Sequence, residues 1–198
     1  MMSSRIYYIE KAIMILLICV VILEVLLSAN TFAYELLGGR WTDSDVKDLS
    51  YRVKSGIPYV SDIREVFADA AASWENTVAY GVPHFYEVSS GEKIIVNAYY
   101  EEYGALAYAY ADPSLYAYPY EYAYIHVNTY YLDVAYYLSY EHFQGVLAHE
   151  IGHILGLAHE TEYGPIVLMW PTDEFYIECG IYEPTLDEIY GVMDLYGG

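Results

Sequence analysis

Basic residues are scarce in this sequence. Eight lysines and arginines stand against 28 aspartates and glutamates, a formal charge of −20 over 198 residues. A surface so negative repels a polyphosphate backbone, which excludes nucleic acid as a partner. Cysteine is scarcer still: Cys19 and Cys179 are the only two, too few for a disulfide framework. Long apolar runs are also lacking. The longest, Ala12 to Leu27, has 16 residues and carries Glu24, against the roughly 20 apolar residues that a membrane-spanning helix needs. What is present argues against disorder, because 56% of residues are apolar and 27 are tyrosines. That supplies one well-formed core, with no room for a second sizeable domain.

The N-terminus reads as an address. Arg5 and Lys11 lead into the apolar run, and Thr31-Phe32-Ala33 follows it with small residues at the ends, the layout of a secretory signal peptide. Residues 1–33 are therefore expected to be a signal peptide cleaved after Ala33, with an uncleaved membrane anchor as the alternative. Residues 34–198 form the exported domain. Cleavage leaves Cys179 as the one thiol, expected to be packed rather than regulatory.

Periodicity within 34–198 alternates between helix and strand. Leu49–Val53 predicts a strand. Ile63, Val66, Phe67, Ala70 and Trp74 recur at helical spacing, so 61–79 predicts an amphipathic helix capped by Ser61 or Asp62. Phe85–Val88 and Lys93–Tyr100 predict strands about a Ser-Ser-Gly turn, with a further pair at 105–111 and 122–128. The Tyr- and Ala-rich stretch from Tyr99 to Tyr140 suits strand packing with hydroxyls facing water; a sticky binding surface is the lesser option.

The chemistry concentrates in His149-Glu150-Ile151-Gly152-His153-Ile154-Leu155-Gly156-Leu157-Ala158-His159. Residues four apart share a helix face, so His149 and His153 can aim their imidazoles at one ion. Glu150 lies one residue round from that face, within reach of a water but outside the ligand set, the position of a general base. Gly156 can end the helix and turn the chain so that His159 returns as a third ligand. Three protein ligands leave a fourth position open, the stoichiometry of a catalytic zinc rather than a structural one. Lone histidines at 84, 126 and 142 are expected to be merely solvated or packed.

This string resembles that of the metzincin zinc peptidases, and within them the matrixin or matrix metalloproteinase family. Leu168-Met169-Trp170-Pro171 is similar to the family's Met-turn. Arg40-Trp41 with Leu49-Ser50-Tyr51-Arg52-Val53, and Leu186-Asp187-Glu188-Ile189-Tyr190-Gly191, resemble the first and last segments of its catalytic domain. Glu160, just after the third histidine, is a departure of astacin type, while Pro171 replaces the tyrosine that astacins place after the Met-turn.

The resemblance implies an α+β (mixed α/β) catalytic domain with a twisted, mostly parallel sheet of about five strands, three helices and a cleft closed by the Met-turn. It implies a secreted zinc endopeptidase with metal ligands His149, His153 and His159, catalytic Glu150, and Met169 beneath the ion. Substrate would lie antiparallel to the strand around Ala105–Ala109, paired with the Ala107 carbonyl. Pro171 would begin the wall of a pocket preferring a hydrophobic residue after the scissile bond. The family's inhibitory cysteine has no counterpart ahead of Tyr34, and its loop for a second, structural zinc and calcium ions is cut short between Asn97 and Gly104. One zinc ion, a monomer, and protein or peptide substrates are expected. The competing class is a catalytically idle, tyrosine-rich binding module on the same fold.

Overall fold

The computed structural model describes Met14 and residues 34–77, 82–133, 138–162, 164 and 166–197. The chain divides into two units, Met1–Phe32 and Ala33–Gly198, and the description concerns the second; the expected signal segment lies outside the described residues. Five strands, β1 (Leu49–Val53), β2 (Phe85–Glu87), β3 (Ile94–Tyr99), β4 (Ala107–Asp112) and β5 (Tyr122–Asn128), form one sheet in the order β2-β1-β3-β5-β4. All neighbours are parallel except the edge strand β4, which runs antiparallel to β5. The helices are α1 (Val60–Thr77), α2 (Tyr130–Asp133), α3 (Tyr140–Leu155), α4 (Glu174–Ile177) and α5 (Leu186–Tyr196), after a 3-10 turn at Asp45–Lys47. This is the mixed α/β architecture that the sequence predicts, with two single-turn helices, α2 and α4, beyond the three expected.

The α1 stripe behaves as its spacing dictates. Ile63, Val66, Phe67, Ala70 and Trp74 are all buried, facing α3, where the Trp74 indole N–H donates to the Ala148 carbonyl at 3.0 Å. The expected caps are displaced, because the helix begins at Val60. Ser61 and Asp62 thus sit inside its first turn, where the Asp62 charge favours the helix dipole; residues 78 and 79 lie outside the described residues.

Helix α3 starts where Ser139, in extended conformation, accepts the His142 N–H with its hydroxyl, and ends at Gly156 with φ 104°. A side chain at 156 would be strained by that φ, and its Cβ would lie 2.7 Å from the Gly39 carbonyl oxygen. The ending is a Schellman arrangement: the Leu157 N–H returns to the Gly152 carbonyl at 3.0 Å.

The tyrosines of β4 and β5 settle on the outer face of the sheet. Tyr108 stacks on His126 at 4.8 Å and Tyr110 on Tyr124 at 4.5 Å, the rings within 8° of parallel. These are directly opposed cross-strand pairs. Each ring covers a face of its partner, while Tyr108, Tyr110 and Tyr122 stay exposed. His126 is packed within this ladder, His84 pairs with Glu75 at 3.0 Å, and His142 lies against the rings of Tyr176 and Tyr182.

Candidate metal centre

Helix α3 carries His149 and His153 on one face, and the Gly156 turn brings His159 back to them. The returning segment is held twice. Leu37 donates to the Gly156 carbonyl and Ala158 donates to the Glu35 carbonyl, at 2.9 and 2.8 Å, and the Glu160 N–H then reaches the Met169 carbonyl at 2.9 Å.

The ring orientations fix the proton positions. His149 Nδ1 lies 2.7 Å from the Leu168 carbonyl and His153 Nδ1 lies 2.9 Å from the Leu157 carbonyl. A carbonyl only accepts, so both Nδ1 atoms carry the proton and both Nε2 atoms present bare lone pairs. Those lone pairs converge on His159 Nε2 at 3.2 and 3.1 Å. His159 can donate one proton at most, so at least one pair of facing nitrogens has no hydrogen between them; a shared cation resolves the conflict. The separations are near the ~3.3 Å edge of a tetrahedron with nitrogen bonds of ~2.0–2.1 Å. Burial holds His149 well below its ordinary pKa and His153 at about 4, and lowers His159 too. All three are therefore neutral, the ligating form, near neutral pH.

Glu150 is buried beside this triad. Burial pushes its carboxyl up to about 8 in the ion-free chain, against the Ala109 backbone N–H that bonds it and lowers it. That contact follows from the strand register. Asn128 N–H donates to the Leu106 carbonyl at 2.9 Å, and antiparallel alternation then turns the polar groups of Ala107 and Ala109 away from β5, to the open edge.

The triad and Glu150 line a cleft of about 840 Å³ with Ala107, Val146, Pro171 and Asp173. No lysine or arginine occurs after Lys93, and Glu35 and Asp173 also border the cleft, so its field favours cations.

The floor is tied to the last helix. Glu188, fully buried, accepts the Met169 N–H at 2.9 Å with one oxygen and the Thr185 N–H and hydroxyl with the other. Met169 packs under α3 so closely that a Cβ on Gly152 would lie 2.4 Å from its sulfur.

A family model for the matrixin peptidases matches residues 40–197. The chain belongs to the matrixin family. It is similar to human matrix metalloproteinase-20, 46% identical over 52 residues, which is 26% of this chain and 10% of that protein. It is likewise similar to rabbit (Oryctolagus cuniculus) macrophage metalloelastase, at 42% over 53 residues, 27% and 11% of the two chains. Pig (Sus scrofa) interstitial collagenase gives 44% over 52 residues, 26% and 10%. The match thus spans about a tenth of each relative's length. Matrixins are zinc metalloendopeptidases, and the triad is compatible with a zinc site.

Within this matrixin domain one expectation needs correcting: Cys179 is exposed. Helix α4 buries Phe175 and Tyr176, and the turn at Gly180, with φ 65°, leaves the thiol outside. Phe175, which the sequence places in the aromatic and acidic wall from Pro171 to Cys179, lines the cleft and stacks on His149 at 5.4 Å and 13°; its place in that run gave composition but no orientation.

Proposed function

We propose that this domain is a secreted, zinc-dependent endopeptidase cleaving extended polypeptide substrates. The observation that carries the reading is the convergence of two bare imidazole nitrogens on a third, beside a buried carboxylate, at a cleft bordered by an open strand edge. His149, His153 and His159 would hold one zinc ion through Nε2. Zinc at that position supplies a Lewis acid for the scissile carbonyl and makes a nearby water more acidic. Substrate adds to the free edge of β4, where the Ala107 carbonyl accepts a backbone N–H. Glu150 takes the proton of the water as its oxygen bonds to the carbonyl carbon, and then passes that proton to the amine nitrogen as the C–N bond breaks.

Met169 underlies the site through its packing on Gly152. Pro171 and Phe175 form the wall expected to meet a hydrophobic side chain after the scissile bond. The reading takes one zinc ion per chain, at the His149, His153 and His159 group. Residues 1–33 act as a cleaved signal, placing a monomeric enzyme outside the cell. The test is cleavage of an unfolded protein by wild type, by a chelated sample and by Glu150→Gln. The variant should retain zinc and lose activity by about 10²–10⁴-fold; a variant as active as wild type removes Glu150 from the mechanism.

A further inference from the structure

The loop between β3 and β4, residues 100–106, is short and carries backbone strain. Tyr103 has φ 60° and is largely exposed, a left-handed conformation that costs a residue with a Cβ about 1 kcal/mol or more. Nothing in its apolar burial holds it there. Its carbonyls are instead captured one after another. The Tyr131 hydroxyl donates to the Gly104 carbonyl at 2.7 Å and the Tyr99 hydroxyl to the Ala105 carbonyl at 2.8 Å. The Asn128 amide donates to the Glu101 and Ala105 carbonyls at 2.8 and 3.0 Å, while its oxygen accepts the Glu101 and Tyr130 N–H groups at 3.0 and 3.1 Å. Asn128 is 1% exposed and both its side-chain polar atoms are engaged twice, so it fixes the loop from inside the sheet. Its own N–H completes the set on the Leu106 carbonyl at 2.9 Å.

The next residue is Ala107, the start of the open edge, and two further on is the Ala109 N–H that meets Glu150. We propose that Asn128, Tyr99 and Tyr131 are positioning residues that clamp the 101–106 loop and thereby set the height of the substrate-binding edge of β4. The proposal rests on the peptidase reading for its kinetic consequence, and on the hydrogen bonds alone for its structural one. Each neutral hydrogen bond of this kind carries a few-fold to tenfold effect, and the hydroxyls can be removed with little change of shape.

The experiment uses the full exported protein as wild type, as the double variant Tyr99→Phe/Tyr131→Phe, and as Asn128→Asp, which keeps the acceptor oxygen and loses the amide donors. Amide hydrogen exchange over 101–109, bound zinc, and steady-state kinetics on an extended peptide and on a short one reaching only the residues beside the scissile bond are measured. The clamp predicts faster exchange at 104–107, unchanged zinc, and about a tenfold rise in KM for the extended peptide with kcat and short-peptide cleavage retained. Unchanged exchange in the double variant overturns the clamp whether or not the protein cleaves anything, and so does faster exchange with an unchanged extended-peptide KM. A wild type that binds zinc but cleaves neither peptide defeats the peptidase reading instead, and exchange still decides the clamp.

Discussion

The two sides of the cleft are built on different principles. The floor, α3 with the Met169 segment beneath it, is buried, and His149 and His153 are aimed by the backbone carbonyls of Leu168 and Leu157, the first from the Met169 segment and the second from the turn that ends α3. The rim, from Tyr99 through β4, has an exposed strained turn and is held by side chains reaching from β3, β5 and α2. A metal site tolerates little displacement of its ligands, so rigidity belongs in the floor. A surface that receives a peptide backbone needs only its edge fixed, and a set of hydrogen bonds accomplishes that at little cost in buried area.

The contrast breaks most sharply at Gly156. Gly156→Ala places a Cβ in a left-handed turn and against the Gly39 carbonyl, and should cost about 2–4 kcal/mol with weakened zinc binding, read by denaturant unfolding and metal titration. A smaller loss, about 1–3 kcal/mol, is expected for Gly152→Ala, whose Cβ meets the Met169 sulfur; a flexible thioether gives way more readily than a carbonyl.

The pH response of the chelated protein sharpens the floor further. The folded pKa of Glu150, about 8, lies above its ordinary 4.5, so the folded state holds the proton longer. Its contribution to stability is full below about pH 4.5 and is lost as pH rises through 8. His153, lowered from 6.5 to about 4, acts in the opposite sense: its contribution is full above 6.5 and lost as pH falls through 4. Between pH 6.5 and 8 the ion-free melting temperature should therefore fall more steeply in wild type than in Glu150→Gln, in which Glu188, also raised by burial, still acts in the same sense. At the outer rim, Tyr110→Ala removes one stacked pair from a partly exposed ladder and should cost under about 1 kcal/mol, with zinc content unaltered.

The floor was legible because it is local. Eleven consecutive residues contain the helix spacing, the terminating glycine and the returning histidine, and each obeys a short-range rule of backbone geometry. Strands and the α1 stripe were legible for the same reason. The α1 cap was misplaced by two or three residues because the chain enters through Pro58 and Tyr59, where a positive φ of 54° at Tyr59 starts the helix early. Cys179 was misjudged because a lone thiol carries no periodic signal to say which way a single-turn helix will face. The rim clamp was illegible for a deeper reason: Asn128 lies 27 residues from Glu101 and 23 from Ala105. Nothing in a Tyr- and Ala-rich stretch distinguishes the hydroxyls that capture carbonyls from those that meet water.

Whether three neutral imidazoles hold one zinc with a position left open is read by zinc K-edge absorption on the protein loaded with one equivalent. Three nitrogen donors and one oxygen donor at about 2.0–2.1 Å are expected, with the nitrogen count falling in His159→Ala. A zinc shell containing sulfur from Cys179, one made only of carboxylate oxygens, or no stoichiometric binding would contradict that coordination.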